Sequence, residues 1–268
     1  MRRSLLGLVA LAAALTGTLA SCASTGGGSA APGAELRVVT YNIRHGRGMD
    51  DSVDLARTAR VLRALAPDVV GLQEVDHRVR RSGGVDQAAA LGGMLGMAHA
   101  FGAFMEYQGG QYGLAILSRF PVVRATPVRL PDGNEPRVAL VAELRLPDGR
   151  SVAVVNVHFD WVDDDGFRFA QARALTSVLD TLSLPYILLG DFNDLPGSRT
   201  LALFHQRAAE LAKPSDDRFT FSSTSPAREI DFIFVSPADA WIAGAVRAIT
   251  EPVASDHRPV LATVGLRR

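Results

Sequence analysis

One cysteine, Cys22, and one lysine, Lys213, occur among the 268 residues. A single thiol excludes an intrachain disulfide framework. Lys plus Arg number 28 and Asp plus Glu number 28, so no net positive field exists to hold the chain on nucleic acid. No His/Cys cluster with zinc-ligand spacing is present, and no internal repeat. The longest apolar stretch, Leu5 to Ala20, is about 16 residues, short of the roughly 20 that cross a bilayer as a helix. What remains is 47% hydrophobic and 21% charged. That composition excludes disordered, collagen-like and coiled-coil chains and suits a globular domain with a sizeable core.

Met1-Arg2-Arg3 followed by the short apolar stretch has the form of a secretory signal peptide. The stretch ends in Leu19-Ala20-Ser21-Cys22, which resembles the bacterial lipobox, and the lone cysteine falls where that signal requires one. The resemblance implies cleavage before Cys22, acylation of its thiol, and a protein held to the bacterial cell envelope on the extracytoplasmic side. Residues 23–34 contain no large apolar side chain and read as a flexible tether. The organisation expected is a signal peptide over 1–21, lipidated Cys22 and its tether over 22–34, and one domain over 35–268.

Within that domain, strands and helices alternate. Leu36–Tyr41, Val69–Leu72 and Leu114–Leu117 are short and apolar or β-branched, as strands are. Val138–Leu146 and Val152–Val157 flank Pro147-Asp148-Gly149-Arg150, a hairpin turn signal. Tyr186–Leu189, Ile230–Val235 and Val260–Val264 are further strands. Leu55, Ala59, Leu62 and Leu65 recur at helical spacing over Val53–Ala66, stopped by Pro67. Gln87–Met97 and Phe167–Leu182 are further helices. The mixture predicts an α/β (α+β) arrangement of mixed sheets with helices outside.

Polar residues sit where these apolar strands end: Asn42, Glu74, His158, Asp191 with Asn193, Asp231, and the Asp256-His257 pair. A single buried polar group at a strand end is usually explained by a hydrogen bond. Six clusters of carboxylates, amides and imidazoles are not. If they converge, they form a hard-oxygen site suited to Mg²⁺ or Mn²⁺ and to phosphate.

Thr-Tyr-Asn-Ile, Leu-Gln-Glu-Val, Asn-Val-His-Phe, Gly-Asp-Phe-Asn, Ile-Asp-Phe-Ile and Ser-Asp-His-Arg-Pro-Val occur in this order and resemble the motifs of the endonuclease/exonuclease/phosphatase superfamily. The resemblance spans nearly everything after the tether. It implies a four-layer αββα sandwich of two mixed β-sheets flanked by helices, with the site at one mouth of the paired sheets and metal-dependent cleavage of phosphoester bonds. Carried over residue by residue, Glu74 is the principal metal ligand, with Asn42 beside it and Asp256 a further ligand. Asp191 orients or deprotonates the attacking water, and Asn193 fixes water and phosphate. Asp231 holds His257, and His158 contacts the phosphate. Arg137 and Tyr112 fall where family members place substrate-contacting residues, although Tyr112 serves equally well as packing.

Other residues carry weaker expectations. His45, His77, His99 and His205 match no motif and read as surface or packing residues. Asp163-Asp164-Asp165 reads as a solvated loop. Arg78, Arg80 and Arg81 read as an anion-binding rim, and Phe159 with Trp161 as packing. The substrate expected is a phosphoester such as a lipid head group or a nucleotide, taken by a monomer. Histidine at 158, where the apurinic-endonuclease branch usually has Asn, and the lack of a basic surface disfavour nucleic acid. An extracytoplasmic nuclease of the same fold stays open as the alternative, and a non-catalytic binding module remains a third reading.

Overall fold

The computed structural model describes residues 35–267. The signal peptide, Cys22 and the tether lie outside them. In chain order the elements are β1 (Glu35–Asn42), α1 (Leu55–Leu65), β2 (Val69–His77), α2 (Gln87–Leu95), β3 (Ala98–Tyr107), β4 (Gly110–Ser118), β5 (Val122–Arg129), β6 (Val138–Arg145), β7 (Ser151–His158), α3 (Gly166–Leu179), β8 (Tyr186–Asp191), α4 (Arg199–His205), β9 (Ala209–Glu210), β10 (Asp231–Ser236), β11 (Trp241–Ala248) and β12 (Val260–Leu266). No helix among them is long and apolar enough to cross a membrane.

The strands form two six-stranded mixed sheets. Their orders are β11-β12-β1-β2-β4-β3 and β5-β6-β7-β8-β10-β9. In each sheet one parallel pair, β1 with β2 and β7 with β8, lies among antiparallel neighbours. Period-two alternation assigns side chains to layers. Leu36 and Val38 of β1 join Leu114, Leu140, Val154, Ile187 and Ile233 in the core between the sheets. Val39 and Tyr41 point the other way and pack under Ala59 and Leu62 of α1 and Leu91 of α2. On the second sheet, Val155, Leu188 and Phe234 pack beneath Leu175 of α3 and Phe204 of α4. Helix, sheet, sheet and helix make the expected αββα sandwich.

Local chemistry sets the helix limits. The Asp54 carboxylate accepts from the Arg57 amide at 2.9 Å, a cap worth about 1 kcal/mol. The helix ends at Ala66, in the left-handed region immediately before Pro67. Asp86 caps α2 through the Ala89 amide at 3.1 Å, and Gly96 closes it with φ 67°. The sheets approach closely at Gly71, where a Cβ would collide with Leu189 of the opposite sheet.

Five elements were not legible as regular structure in the sequence: β3, β5, β9, β11 and α4. The four strands lie at sheet edges, where one flank is solvated and no continuous apolar run is needed. β5 even contains Pro127, which an edge tolerates. α4 has only seven residues, too few to display a helical period.

Candidate active site

Asn42 pairs with Gln73, His158 with Asp191, and Asp231 with Asp191 across neighbouring strands. Strand pairing therefore brings four of the motif residues to one mouth of the sandwich. The two sheets are tied together just beneath it. The Gln73 amide donates to Asn156 Oδ1 at 2.6 Å and to Thr40 Oγ1 at 3.1 Å. Asn156 in turn donates to the carbonyls of Leu72 and Ala115 at 2.8 and 2.9 Å. This buried network crosses between sheets and fixes their separation at the mouth.

Glu74 reaches the mouth through a bulge. The β2–β4 register slips between Leu72 and Val75, and Glu74 has φ 58°. A non-glycine residue in the left-handed region is strained, and such strain concentrates at functional sites.

Asp191, 1% exposed, is the hub. Its Oδ2 accepts from Asn42 Nδ2 at 3.1 Å and lies 3.5 Å from Nε2 of both His158 and His257. Its Oδ1 accepts from the Asn193 amide at 2.9 Å. Burial, countered by cationic His257 and reinforced by the Asp231 carboxylate, pushes its pKa up to about 7. The raised basicity suits the carboxylate to accept a proton from water.

The two histidines beside it differ in charge. Arg137 Nη1 faces His158 Nδ1 at 3.2 Å. Arginine can only donate, so His158 accepts there and carries its proton on Nε2. Burial, with the Arg137 and His257 cations, holds its pKa well below the usual value. His257 Nδ1 instead meets Asp231 Oδ2 at 3.0 Å. Burial acts to lower its pKa, but the Asp231 and Asp191 carboxylates outweigh burial and raise it to about 10. Asp191 therefore stands between one neutral and one cationic imidazole.

Asn42 contributes its nitrogen. Nδ2 donates to Glu74 Oε1 at 3.0 Å as well as to Asp191, and Oδ1 accepts from the Arg44 amide at 3.1 Å. Two carboxylates on one side and an N–H on the other fix the amide orientation. In this arrangement Asn42 bridges Glu74 and Asp191 through its nitrogen, and its oxygen faces the Arg44 amide. Asp256 lines the same cavity as Glu74. Its Oδ1 accepts from Ser255 Oγ at 3.2 Å, and Arg44 Nε is 3.7 Å from Oδ2. Asn193 donates through Nδ2 to the Phe159 carbonyl at 3.0 Å, which leaves its Oδ1 for a bound water or substrate.

Glu74, His158, Asp191, Asn193, Asp256 and His257 line a cavity of about 410 Å³ that also includes Tyr112, Glu135, Arg137, Trp161, Asp163, Phe221 and Arg228. Arg137 is 1% exposed. It pairs with Glu135 at 2.9 Å and stacks over Phe104 at 5.0 Å, so it acts behind His158 more than as an open phosphate clamp. Tyr112 faces Glu74, and burial, then that carboxylate, raises its pKa well above the usual value.

Two weaker expectations change, those for Arg81 and Trp161. Arg81 is no anion-binding rim: it grips buried Asp76 at 2.8 and 2.9 Å and covers the Tyr107 and Tyr112 rings. Phe159 is packing, stacked on Phe204, whereas Trp161 is 59% exposed and borders the cavity. Of the three consecutive aspartates, Asp165 pairs with Arg199 and Asp163 reaches the cavity wall. Glu135, Phe221 and Arg228 went unrecognised as site residues because they sit on loops whose local sequence has no period. Only the fold brings them to the mouth.

A two-sheet sandwich with carboxylates, amides and imidazoles gathered at its strand ends is an arrangement suited to phosphoester hydrolysis. A model of the endonuclease/exonuclease/phosphatase family matches residues 39–257, and the chain belongs to that family. It is similar to uncharacterized protein YbhP of Escherichia coli K12, 28% identical over 258 residues, covering 86% of this chain and 96% of the relative. Among solved structures it resembles an endonuclease/exonuclease/phosphatase from Beutenbergia cavernae, with TM-score 0.73, 24% identity, and coverage of 87% of this chain and 72% of that one. It also resembles mannosyl-6-phosphatase Bt3783 of Bacteroides thetaiotaomicron, with TM-score 0.71, 20% identity, and coverage of 85% and 99%.

Proposed function

We propose that this chain is a divalent-metal-dependent phosphoester hydrolase, a phosphodiesterase or phosphatase, that acts while anchored through Cys22 outside the cytoplasmic membrane. The observation that carries the reading is the Asp191 hub, a buried carboxylate whose Oδ2 accepts from Asn42 and lies 3.5 Å from Nε2 of both His158 and His257. The donor set fits a hard cation. Glu74 and Asp256 bring carboxylates to one cavity, and Arg44 Nε lies 3.7 Å from Asp256 Oδ2. Glu74 and Asp256 would hold Mg²⁺, or Mn²⁺ in its place. When bound, the ion neutralises charge on the phosphoryl oxygens.

This chain's own residues do the rest. Asp191 holds the attacking water and accepts its proton, and the Asn193 carbonyl oxygen orients that water. Asp231 keeps His257 in its charged form, and His257 stabilises negative charge growing on the phosphoryl group. His158 donates from Nε2 toward the same oxygens. Phosphoryl transfer needs positioning and charge neutralisation more than covalent help, and each of these roles is one of those two. The anchor and the neutral overall charge favour lipid head groups, nucleotides or other small phosphoesters over long nucleic acids as substrates.

A panel of phosphoesters assayed with Mg²⁺ or Mn²⁺, and again with a chelator, tests the activity. The expected result is metal-dependent turnover that falls by orders of magnitude in Asp191→Asn. Wild-type turnover unaffected by the chelator would overturn the reading. Fatty-acid labelling tests the anchor, which requires that Cys22→Ser abolish the label.

A further inference from the structure

The cavity wall beside His257 carries a cation that the hydrolytic roles leave unused. Arg228 is exposed at the cavity edge. It forms no ion pair and no side-chain hydrogen bond with another described residue. Arg137, the other arginine of this cavity, is spent on Glu135 and His158. Arg228 is also held in place. Its guanidinium lies over the Phe221 ring at 4.6 Å, and that ring rests 5.0 Å from the His257 ring.

The backbone beneath is fixed as well. Arg228 and Phe221 exchange hydrogen bonds at 2.9 and 3.0 Å, and Phe221 bridges His257. The Ser223 amide donates to the Asp256 carbonyl at 2.7 Å, and the Arg258 amide to the Thr220 carbonyl at 2.8 Å. Residues 220–228 thus form a strap pinned to the Asp256–His257 segment. A guanidinium stacked on an aromatic face keeps its hydrogen-bonding edge free and its orientation set, as recognition of a planar or tetrahedral anion requires.

The same cavity is also lined by Glu135, Asp163 and exposed Trp161. Carboxylates in the lining repel further phosphates, so a long polyanion entering the mouth would face them. One free cation among acidic groups suits a compact molecule with a single extra negative group.

Building on the proposed hydrolase activity, we propose that Arg228, on its Phe221 platform, is a second anion subsite. It selects small phosphoesters that bear another phosphate or similar anionic group beyond the one being cleaved.

A matched pair of non-hydrolysable probes, propylphosphonate and propane-1,3-diylbisphosphonate, tests this by titration calorimetry on the full chain at fixed free Mg²⁺. Wild type is expected to bind the bisphosphonate at least tenfold tighter. Arg228→Gln should abolish that advantage and leave propylphosphonate affinity unchanged. Arg228 is exposed, so the change should not disturb folding, which the thermal midpoint verifies. Equal affinity of wild type for both probes overturns the subsite and leaves the hydrolase reading standing, whereas binding of neither, with no turnover on the phosphoester panel, removes both. Equal weakening of both probes by Arg228→Gln would place Arg228 on the central phosphate and also overturn the proposal. A single-stranded oligonucleotide that binds tighter than the bisphosphonate in an Arg228-dependent way would overturn the compact-ligand assignment.

Discussion

Arg137 donates to His158 Nδ1 at 3.2 Å, and this one contact fixes the tautomer and charge of a histidine that faces the reacting group. A cation cannot accept, so the imidazole is neutral with its proton on Nε2. Arg137→Met keeps much of the apolar stem over Phe104 and removes the donor. Nδ1 is then free to take a proton or to exchange tautomers. Groups that orient a functional histidine typically matter by about 10–100-fold, so kcat should fall in that range with KM changing less. Nitrogen-15 NMR of the His158 ring should show loss of the single Nε2–H tautomer. An unchanged tautomer together with unchanged kcat would show that Arg137 does not act through His158.

Glu74 is strained at φ 58° and contacts Asn42 and Tyr112. Glu74→Gln keeps its shape and removes the charge a hard cation needs. Activity at low Mg²⁺ should drop by about three orders of magnitude, and raised Mg²⁺ should restore part of it. Turnover at the wild-type level in limiting metal would exclude Glu74 as the main ligand.

Much of this site was legible because each catalytic side chain sits at the end of an apolar strand, and strand ends share a mouth once the sheets pair. His158, Asp191 and Asp231 are direct examples, adjacent through register alone. The orientation of the Asn42 amide was not legible, because it depends on Glu74, Asp191 and Arg44 together, a relation no motif encodes. Phe221 and Arg228 had no local signal, since a strap held by backbone bonds to Asp256 and Arg258 leaves its side chains unconstrained by periodicity. The edge strands β3, β5, β9 and β11 escaped for a related reason: half-solvated strands carry weak apolar patterns.

His45 supplies a pH signature away from the hub. It is 9% exposed, its Nδ1 has no partner, and burial, then the Arg81 cation, lowers its pKa to about 4. The folded protein therefore prefers it neutral, whereas the unfolded chain protonates it near its ordinary value of about 6.5. Between those values the unfolded state binds more protons, so this contribution is full above about pH 6.5 and is lost as pH falls toward 4. Its backbone sits at φ 45°, which asparagine tolerates. His45→Asn should flatten the fall of the thermal midpoint between pH 6.5 and 4 relative to wild type. Parallel wild-type and variant curves would assign the acid sensitivity elsewhere.

Asp231 and His257 should act as a unit. Asp231 is fully buried. One of its oxygens meets His257 Nδ1 at 3.0 Å, and the other has no partner. Its main service is thus to the imidazole, whose charge and orientation it sets. Asp231→Asn removes that charge, and its amide can present an N–H to Nδ1 and favour the wrong tautomer. His257→Ala removes the stabilising cation itself and strands a buried carboxylate beside Asp191. Each single change should lower kcat/KM by about 10²–10⁴-fold, the range of acid–base and electrostatic groups. With His257 gone, Asp231 has nothing left to orient, so the double variant should be scarcely worse than His257→Ala alone. It could even recover some stability, because the stranded charge disappears with it. Kinetics of both singles and the double on one phosphoester, with thermal midpoints to confirm folding, close the cycle. Losses that add fully in free energy would mean that the two residues contribute independently, and the orienting role of Asp231 would then be withdrawn.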